Sequence, residues 1–207
     1  MAQSKSDVVT ETKRKFLNVG SAGEGISIPD IYDGWQNVRL DIDPSVNPDV
    51  VCDARDLTNL DPECYDAVYC SHNLEHYYRH DAMKVLKGFL HVLKKDGFVH
   101  IRVPDILEVM KKIVTGNMDI NGTLYISPAG PITARDVIYG HEGQIEESNQ
   151  GYYAHKTGFS PNTLKDFLHQ AGFEYVFIGT DASYYEVAAI AFRQQPTEYA
   201  INLLNKK

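Results

Sequence analysis

The sequence predicts an α/β protein built on a doubly wound, mostly parallel sheet of seven strands that closes with a C-terminal antiparallel hairpin. Three observations carry this. Five short apolar runs of four to six residues are separated by helical or irregular segments, the pattern of buried parallel strands joined by crossovers. Several of these runs end in glycine, acidic or small polar residues, where the ligand-bearing loops of such sheets lie. Two later strand-like runs are joined by only Thr180–Ser183. A parallel crossover needs a dozen residues or more, so this last pair must be antiparallel.

The elements follow in order. Residues 1–14 carry charge without apolar periodicity and read as a flexible arm. Lys15–Val19 (KFLNV) is a buried strand that stops at Gly20-Ser21-Ala22-Gly23-Glu24-Gly25. Asn37–Ile42 (NVRLDI) is the second strand, ending in Asp41 and Asp43, and Asp49–Cys52 (DVVC) is the third, followed at once by Asp53, Ala54 and Arg55. Asp66–Cys70 (DAVYC) is the fourth, followed by Ser71 and His72. From Asp81 to Lys94, Met83, Leu86, Phe89, Leu90 and Leu93 recur at helical spacing, with Lys94, Lys95 and Gly97 as the expected stop. Phe98–Val103 (FVHIRV) is the fifth strand, closed by Pro104, and Asp105–Val114 is helical.

Residues 115–160 have little periodicity and read as a lid or acceptor-binding insertion, since so long an irregular stretch in a compact domain is usually functional. Ser160 then caps a helix with Pro161 in its first turn, ending at Gly172. Glu174–Gly179 and Tyr184–Arg193 are the closing strands, with Tyr184 and Tyr185 opening the second, and the tail after Pro196 adds a helical turn. No repeat or linker divides the chain, so one domain is expected over 1–207.

Composition bounds the partners. Twenty Lys and Arg against 28 Asp and Glu give a net charge of −8, which disfavours nucleic acid, whose phosphates need a basic footprint. No run approaches the ~18 apolar residues of a membrane helix. The polar opening MAQSKSDVVTETKRK lacks the apolar segment of a secretory signal. Cys52, Cys64 and Cys70 are too few for a disulfide framework, and Cys52 and Cys70 read as buried free thiols. A cytoplasmic protein is expected.

In a sheet of this kind ligands bind beyond the carboxyl ends of the strands. The glycine loop after the first strand lets a ligand approach the backbone. Asp41 and Asp43, 21 and 23 residues beyond Gly20, stand where an acid can bind a ribose diol. Asp53, with an adjacent backbone amide, can read an adenine amino group and ring nitrogen. The pieces FLNVGSAGEG, RLDID, VVCDARDL, YDAVYCSHNLEH and VLKGFLHVLKKDGFVHIRVPD resemble the class I S-adenosylmethionine-dependent methyltransferases, whose fold is the Rossmann-like doubly wound sheet. Together with ITARDVIYGHEGQ and AHKTGFSPNTLKDFL they look most like a small bacterial subgroup that accompanies polysaccharide biosynthesis. The resemblance implies S-adenosylmethionine as cofactor. Gly20, Ser21, Ala22, Gly23 and Gly25 would hold its methionine part, Asp41 with Ile42 the ribose, and Asp53, Ala54 and Arg55 the adenine. Ser71 and His72 would lie beside the reactive end, and His76 would pack under the cofactor.

Two departures stand out. The loop reads G-x-x-G-x-G where the family has G-x-G-x-G. Only 11 residues, among them Pro29, Asp30 and Gly34, separate Gly25 from Asn37, so the usual first helix must be very short or absent.

The chemistry expected is O-methylation of a sugar, glycan or nucleotide-sugar hydroxyl, a poor nucleophile that needs a base. His72 is the first candidate, His155, in the aromatic stretch Tyr152-Tyr153-Ala154-His155-Lys156, the second, and Asp105 would orient the acceptor. His141 is a weaker candidate, and His80, His91, His100 and His169 read as structural. His72-Asn73-Leu74-Glu75-His76 also fits H-x-x-E-H, a zinc-peptidase pattern, but it follows a strand directly rather than lying within a helix. No spacing specifies a metal site, and none is assigned. The rival readings are a non-catalytic binding module that keeps the fold and an NAD-dependent oxidoreductase or epimerase. A homodimer is compatible with the pattern.

Overall fold

The computed structural model describes residues 13–21, 27–127 and 130–204. Nine strands are present among them: β1 (Lys15–Val19), β2 (Gln36–Asp41), β3 (Val50–Val51), β4 (Tyr65–Ser71), β5 (Leu93–Pro104), β6 (Thr123–Ser127), β7 (Gly130–Thr133), β8 (Tyr175–Asp181) and β9 (Glu186–Phe192). Six helices accompany them: α1 (Arg79–Val92), α2 (Ile106–Thr115), α3 (Ala134–Tyr139), α4 (Glu142–Ser148), α5 (Pro161–Ala171) and α6 (Glu198–Leu204). Seven strands form one sheet in the order β3-β2-β1-β4-β5-β9-β8. β1 to β5 run parallel and β9 is antiparallel to both β5 and β8, the architecture the sequence predicts.

The central strands are apolar on both faces because both are covered. Leu17, Val19, Val68 and Cys70 point into one core with Leu86 and Phe89 of α1 and Leu164 and Leu168 of α5. Phe16, Ala67, Tyr69 and Phe98 point the other way. Among the described residues no α-helix stands between β1 and β2. A single 3-10 turn, Asp30–Tyr32, takes its place. Tyr32 lies flat on Phe16 at 4.2 Å between ring centroids and touches Tyr69 and Phe98, while Ala200 and Leu203 of α6 complete this layer. An aromatic plug and a C-terminal helix thus do the covering that a first helix would do.

The helix expected to stop at Lys94–Gly97 ends earlier. α1 closes at Val92, and β5 begins at Leu93, so Lys94, Lys95 and Gly97 belong to a strand with a register shift opposite Tyr65–Ala67. Gly97 is demanded there: a Cβ would lie 2.9 Å from the carbonyl oxygen of Asp66. Residues 115–160 are not irregular. They hold β6 paired with β7, α3, α4 and a 3-10 turn at Gly151–Tyr153. With α2 they build a small annex core of Val109, Ala134 and Val137. These elements have four to seven residues each, too short for a periodic pattern to register in sequence.

Tyr184 and Tyr185 do not open a strand. They form the turn before β9, with Tyr185 at φ +52°, and their rings pack on Tyr125 of the annex. The expected N-terminal arm lies outside the described residues but for its last two. Of these, Arg14 lays its guanidinium over Tyr199 at 3.7 Å. All three cysteines are free thiols, Cys70 fully buried, Cys52 and Cys64 only partly so. No helix among the described residues is long and apolar enough to cross a membrane.

Candidate active site

The strand order reverses between β1 and β4, and a cavity of about 610 Å³ opens beyond the carboxyl ends of these strands. Gly20 lies at its floor, with φ +70° and its amide donating to Leu40 O at 2.9 Å. A Cβ at Gly20 would run into the side chain of Asn73, so only glycine lets the loop after β1 pass the loop after β4. Ser21 follows, 2% exposed, its hydroxyl without a partner among the described residues. Ala22, Gly23 and Gly25 lie outside the described residues.

Asp41 ends β2 and lines the cavity beside the exposed Ile42, with its Oδ1 accepting from the Asp43 amide at 3.0 Å. Asp53 and Arg55 line the next stretch of wall. Asp53 caps the turn after β3, accepting from the Arg55 amide at 2.9 Å and from Arg55 Nε at 3.0 Å. Burial works against its charge, but these bonds overcome it and hold its carboxyl below the usual range. Three expected residues fall short of the cavity wall: the buried Ser21, Ala54, buried behind the turn, and Ser71, at the end of β4.

The loop after β4 carries the densest chemistry. His72 has φ +49° and donates its amide to Arg102 O at 2.8 Å. Its Nε2 meets Glu186 Oε2 at 3.0 Å and its Nδ1 faces Glu75 Oε1 at 3.5 Å. Burial alone would favour the neutral ring, but Glu186 and Glu75 overcome it and raise its pKa to about 9. Glu186 is shared with Arg102, whose Nε donates to it at 2.8 Å. Glu75 is 2% exposed, and neither carboxylate oxygen has a hydrogen-bond partner among the described residues. The cost of burying it is overcome by the surrounding histidines, His72 foremost, so it stays ionised.

His76 and His155 meet edge to face, 4.8 Å between ring centroids. His76 Nδ1 donates to Ala154 O at 3.3 Å, and His155 Nδ1 donates to Val137 O at 2.9 Å. His155 Nε2 is 4.0 Å from Glu75 Oε1, and burial pushes the ring's pKa down. The backbone carbonyl of Glu75 accepts from the amides of Lys156 and Thr157, at 2.8 and 3.1 Å, and Lys156 Nζ donates to His76 O at 3.0 Å. These bonds pin the segment 154–157 over the loop after β4. Farther out, the Tyr152 hydroxyl donates to Asp43 Oδ2 at 3.1 Å and ties this segment to the loop after β2.

The structure does not bring Asp105 to the cavity. Its carboxylate, 7% exposed, accepts from the Glu108 amide at 3.2 Å as the N-cap of α2, while the preceding Pro104 lines the wall. His141 lines the cavity and caps α4. His91 and His169 are bound to the backbone carbonyls of Leu60 and Phe173, each at 2.9 Å, in line with structural roles. The zinc-peptidase geometry is absent: the H-x-x-E-H run is a 3-10 turn at Leu74–His76, and His72 turns away to Glu186. Glu75 is the functional candidate that sequence reasoning passed over, although it stood inside that run.

Residues 17–101 match a family model described as a methyltransferase domain. Solved structures are similar over most of the chain. A SAM-dependent methyltransferase of Archaeoglobus fulgidus aligns with TM-score 0.54 at 16% identity, covering 87% of this chain and 86% of its own. A protein of Pyrococcus horikoshii OT3 aligns with TM-score 0.56 at 14% identity over 90% of this chain and 84% of its own. A SAM-dependent methyltransferase of Thermotoga maritima gives TM-score 0.51 at 15% identity, over 87% and 82%. The fold is that of the class I methyltransferases. No protein with a curated description matches the chain. The family model covers less than half of the chain, and the solved structures show that it shares its fold with S-adenosylmethionine-dependent methyltransferases. The residues fit that cofactor: a glycine whose Cβ has no room, a buried serine hydroxyl without a partner, and Asp41 on the wall 21 residues beyond Gly20.

Proposed function

We propose that this chain methylates a hydroxyl of a sugar, a glycan or a nucleotide-linked sugar, with S-adenosylmethionine as donor. The observation that carries this reading is the run of one cavity from Gly20 and Asp41 to a lid wall of Tyr152, Tyr153, His155 and Lys156. When bound, the cofactor supplies a methyl group on a sulfonium, and positioning a nucleophile against it provides much of the acceleration.

The chain's residues divide between the two ends. The loop after β1 takes the methionine part, Asp41 with Ile42 the ribose, and Asp53 and Arg55 the adenine. At the other end Tyr152 and Tyr153 offer ring faces to the apolar side of a sugar. Lys156, His141 and Asp136 offer polar atoms to its hydroxyls, since all three line the same cavity. The base role passes from His72 to His155. Both ring nitrogens of His72 face carboxylates, whereas His155 gives its Nδ1 proton to Val137 O and keeps an Nε2 lone pair. His72 then positions Glu75 and Glu186. Asp105 holds the start of α2 and the end of β5 rather than the acceptor. Polysaccharide biosynthesis in the cytoplasm is the setting this reading implies.

The test is turnover of purified protein with S-adenosylmethionine and a panel of free sugars, nucleotide sugars, amino sugars and glycans, followed by demethylated cofactor release. His155→Ala is expected to lower kcat about 100-fold on the accepted sugar, within the range for loss of a general base. Turnover confined to non-sugar acceptors would overturn the substrate class. Cofactor binding without turnover on any acceptor would favour a binding module, and NAD+ binding in its place an oxidoreductase.

A further inference from the structure

We propose that Glu75, His76 and His155 form a site for a divalent transition-metal ion, with open coordination positions toward the cavity. One ligand atom from each residue lies within 4.8 Å of the other two. An ion bound at ~2.0–2.2 Å from each ligand needs them about 3–4 Å apart, so side-chain adjustments of about 1 Å would close the site.

Two independent observations point to a cation. The first is Glu75, 98% buried by its 2% exposure, with no hydrogen-bond donor on either carboxylate oxygen among the described residues. His72 approaches at 3.5 Å as an ion pair but satisfies neither oxygen as a hydrogen bond. The ion pair keeps Glu75 ionised, but its buried oxygens still lack the hydrogen-bond donors that buried polar atoms ordinarily have. The second is the orientation of the two histidines. Each donates its Nδ1 proton to a backbone carbonyl, His76 to Ala154 and His155 to Val137. In the neutral ring this leaves Nε2 bare, and the same outer hydrogen bond fixes the tautomer of most metal-bound histidines.

The scaffold is already set. Adjacent residues of the turn after β4 supply two ligands, and the segment that supplies the third is pinned to Glu75 O by the amides of Lys156 and Thr157. Two imidazoles and one carboxylate suit zinc and its first-row neighbours better than magnesium. His76 and His155 line the cavity, so an acceptor hydroxyl could complete the coordination. That last role rests on the methyltransferase reading; binding of the metal does not. With the ion in place His155 Nε2 serves as a ligand, and polarisation of the acceptor by the metal takes over from a base.

The experiment strips the full-length protein with chelator and titrates it with Co2+, without cofactor, following visible absorption, then competes with Zn2+ and separately with Mg2+. The expected result is one equivalent of Co2+ giving a ligand-field band that Zn2+ abolishes and Mg2+ does not. Glu75→Gln and His155→Ala should each weaken binding at least tenfold, while His80→Ala, at an exposed ring, leaves it unchanged. Absence of the band, displacement by Mg2+, or binding undiminished in the Glu75 and His155 variants would overturn the proposal. Circular dichroism checks each variant, and His76→Gln replaces Glu75→Gln if the latter does not fold. S-adenosylmethionine titrated into the same samples separates the two proposals. Metal binding without cofactor binding would sink the methyltransferase reading alone, and the reverse would sink the metal site alone.

Discussion

Gly20 shows how one residue without a side chain can shape a site. Its backbone is left-handed, and a methyl group there would collide with Asn73. Gly34 is also left-handed, at φ +79°, but has open space around it. Gly34→Ala should therefore lose only the conformational term, about 1 kcal/mol, and Gly20→Ala about 1–2 kcal/mol more. Thermal unfolding of both variants measures this, and equal losses would show that Asn73 moves aside freely. His100 makes a different prediction. Burial, with Arg102 close by, pushes its pKa from 6.5 down to about 4. Below pH 6.5 the unfolded chain takes up a proton that the folded chain refuses until about pH 4, so stability drains away as pH falls through this window. His100→Gln should remove ~2 kcal/mol of the destabilisation between pH 7 and pH 5. Parallel pH dependences of the two proteins would contradict it. At this scale the sequence was informative about residue type but not about occupation. His72 and Asp105 stand where active groups belong, yet one is locked between Glu186 and Glu75 and the other caps α2. Such commitments depend on partners far along the chain, as with Glu186, 114 residues from His72.

Among the elements, the turn at Asp30–Tyr32 is the chain's departure from its fold. Eleven residues with Pro29 and Gly34 foretell a very short or absent helix, and none stands there among the described residues, but they do not foretell that Tyr32 packs against Phe16, Tyr69 and Phe98. Tyr32→Ala empties that layer and should cost ~3 kcal/mol or more, as aromatic truncations in cores do. Chemical denaturation measures it, and a loss under ~1 kcal/mol would mean that α6 alone holds this face. The strands were readable because two-sided burial makes them continuously apolar. The hairpin of β8 and β9 was readable from its short connection, and α5 from Ser160, Pro161 and Gly172, which do cap it. The elements within 115–160 were not, because β6, β7, α3 and α4 are each too short for periodicity and are held by contacts with α2, Tyr184 and Tyr185.

Across the whole molecule, the sheet brings together residues separated by more than a hundred positions. Gly20 follows the first strand and Asp41 ends the second, His76 comes from the turn after the fourth, and Tyr152, Tyr153, His155 and Lys156 come from the segment before α5. The order of glycine loop, acid, acid and histidine along strands one to four made this half of the cavity legible in the sequence. The bonds of Tyr152 to Asp43 and of Lys156 and Thr157 to Glu75 are tertiary facts with no local signal. The most direct test of a cofactor site here is isothermal titration of the purified protein with S-adenosylmethionine and its demethylated product. Binding of both in the micromolar range, weakened at least tenfold by Asp41→Ala (about 1.4 kcal/mol), is the expected result. No heat with either ligand at about 1 mM, in a protein that is folded by circular dichroism, would contradict it.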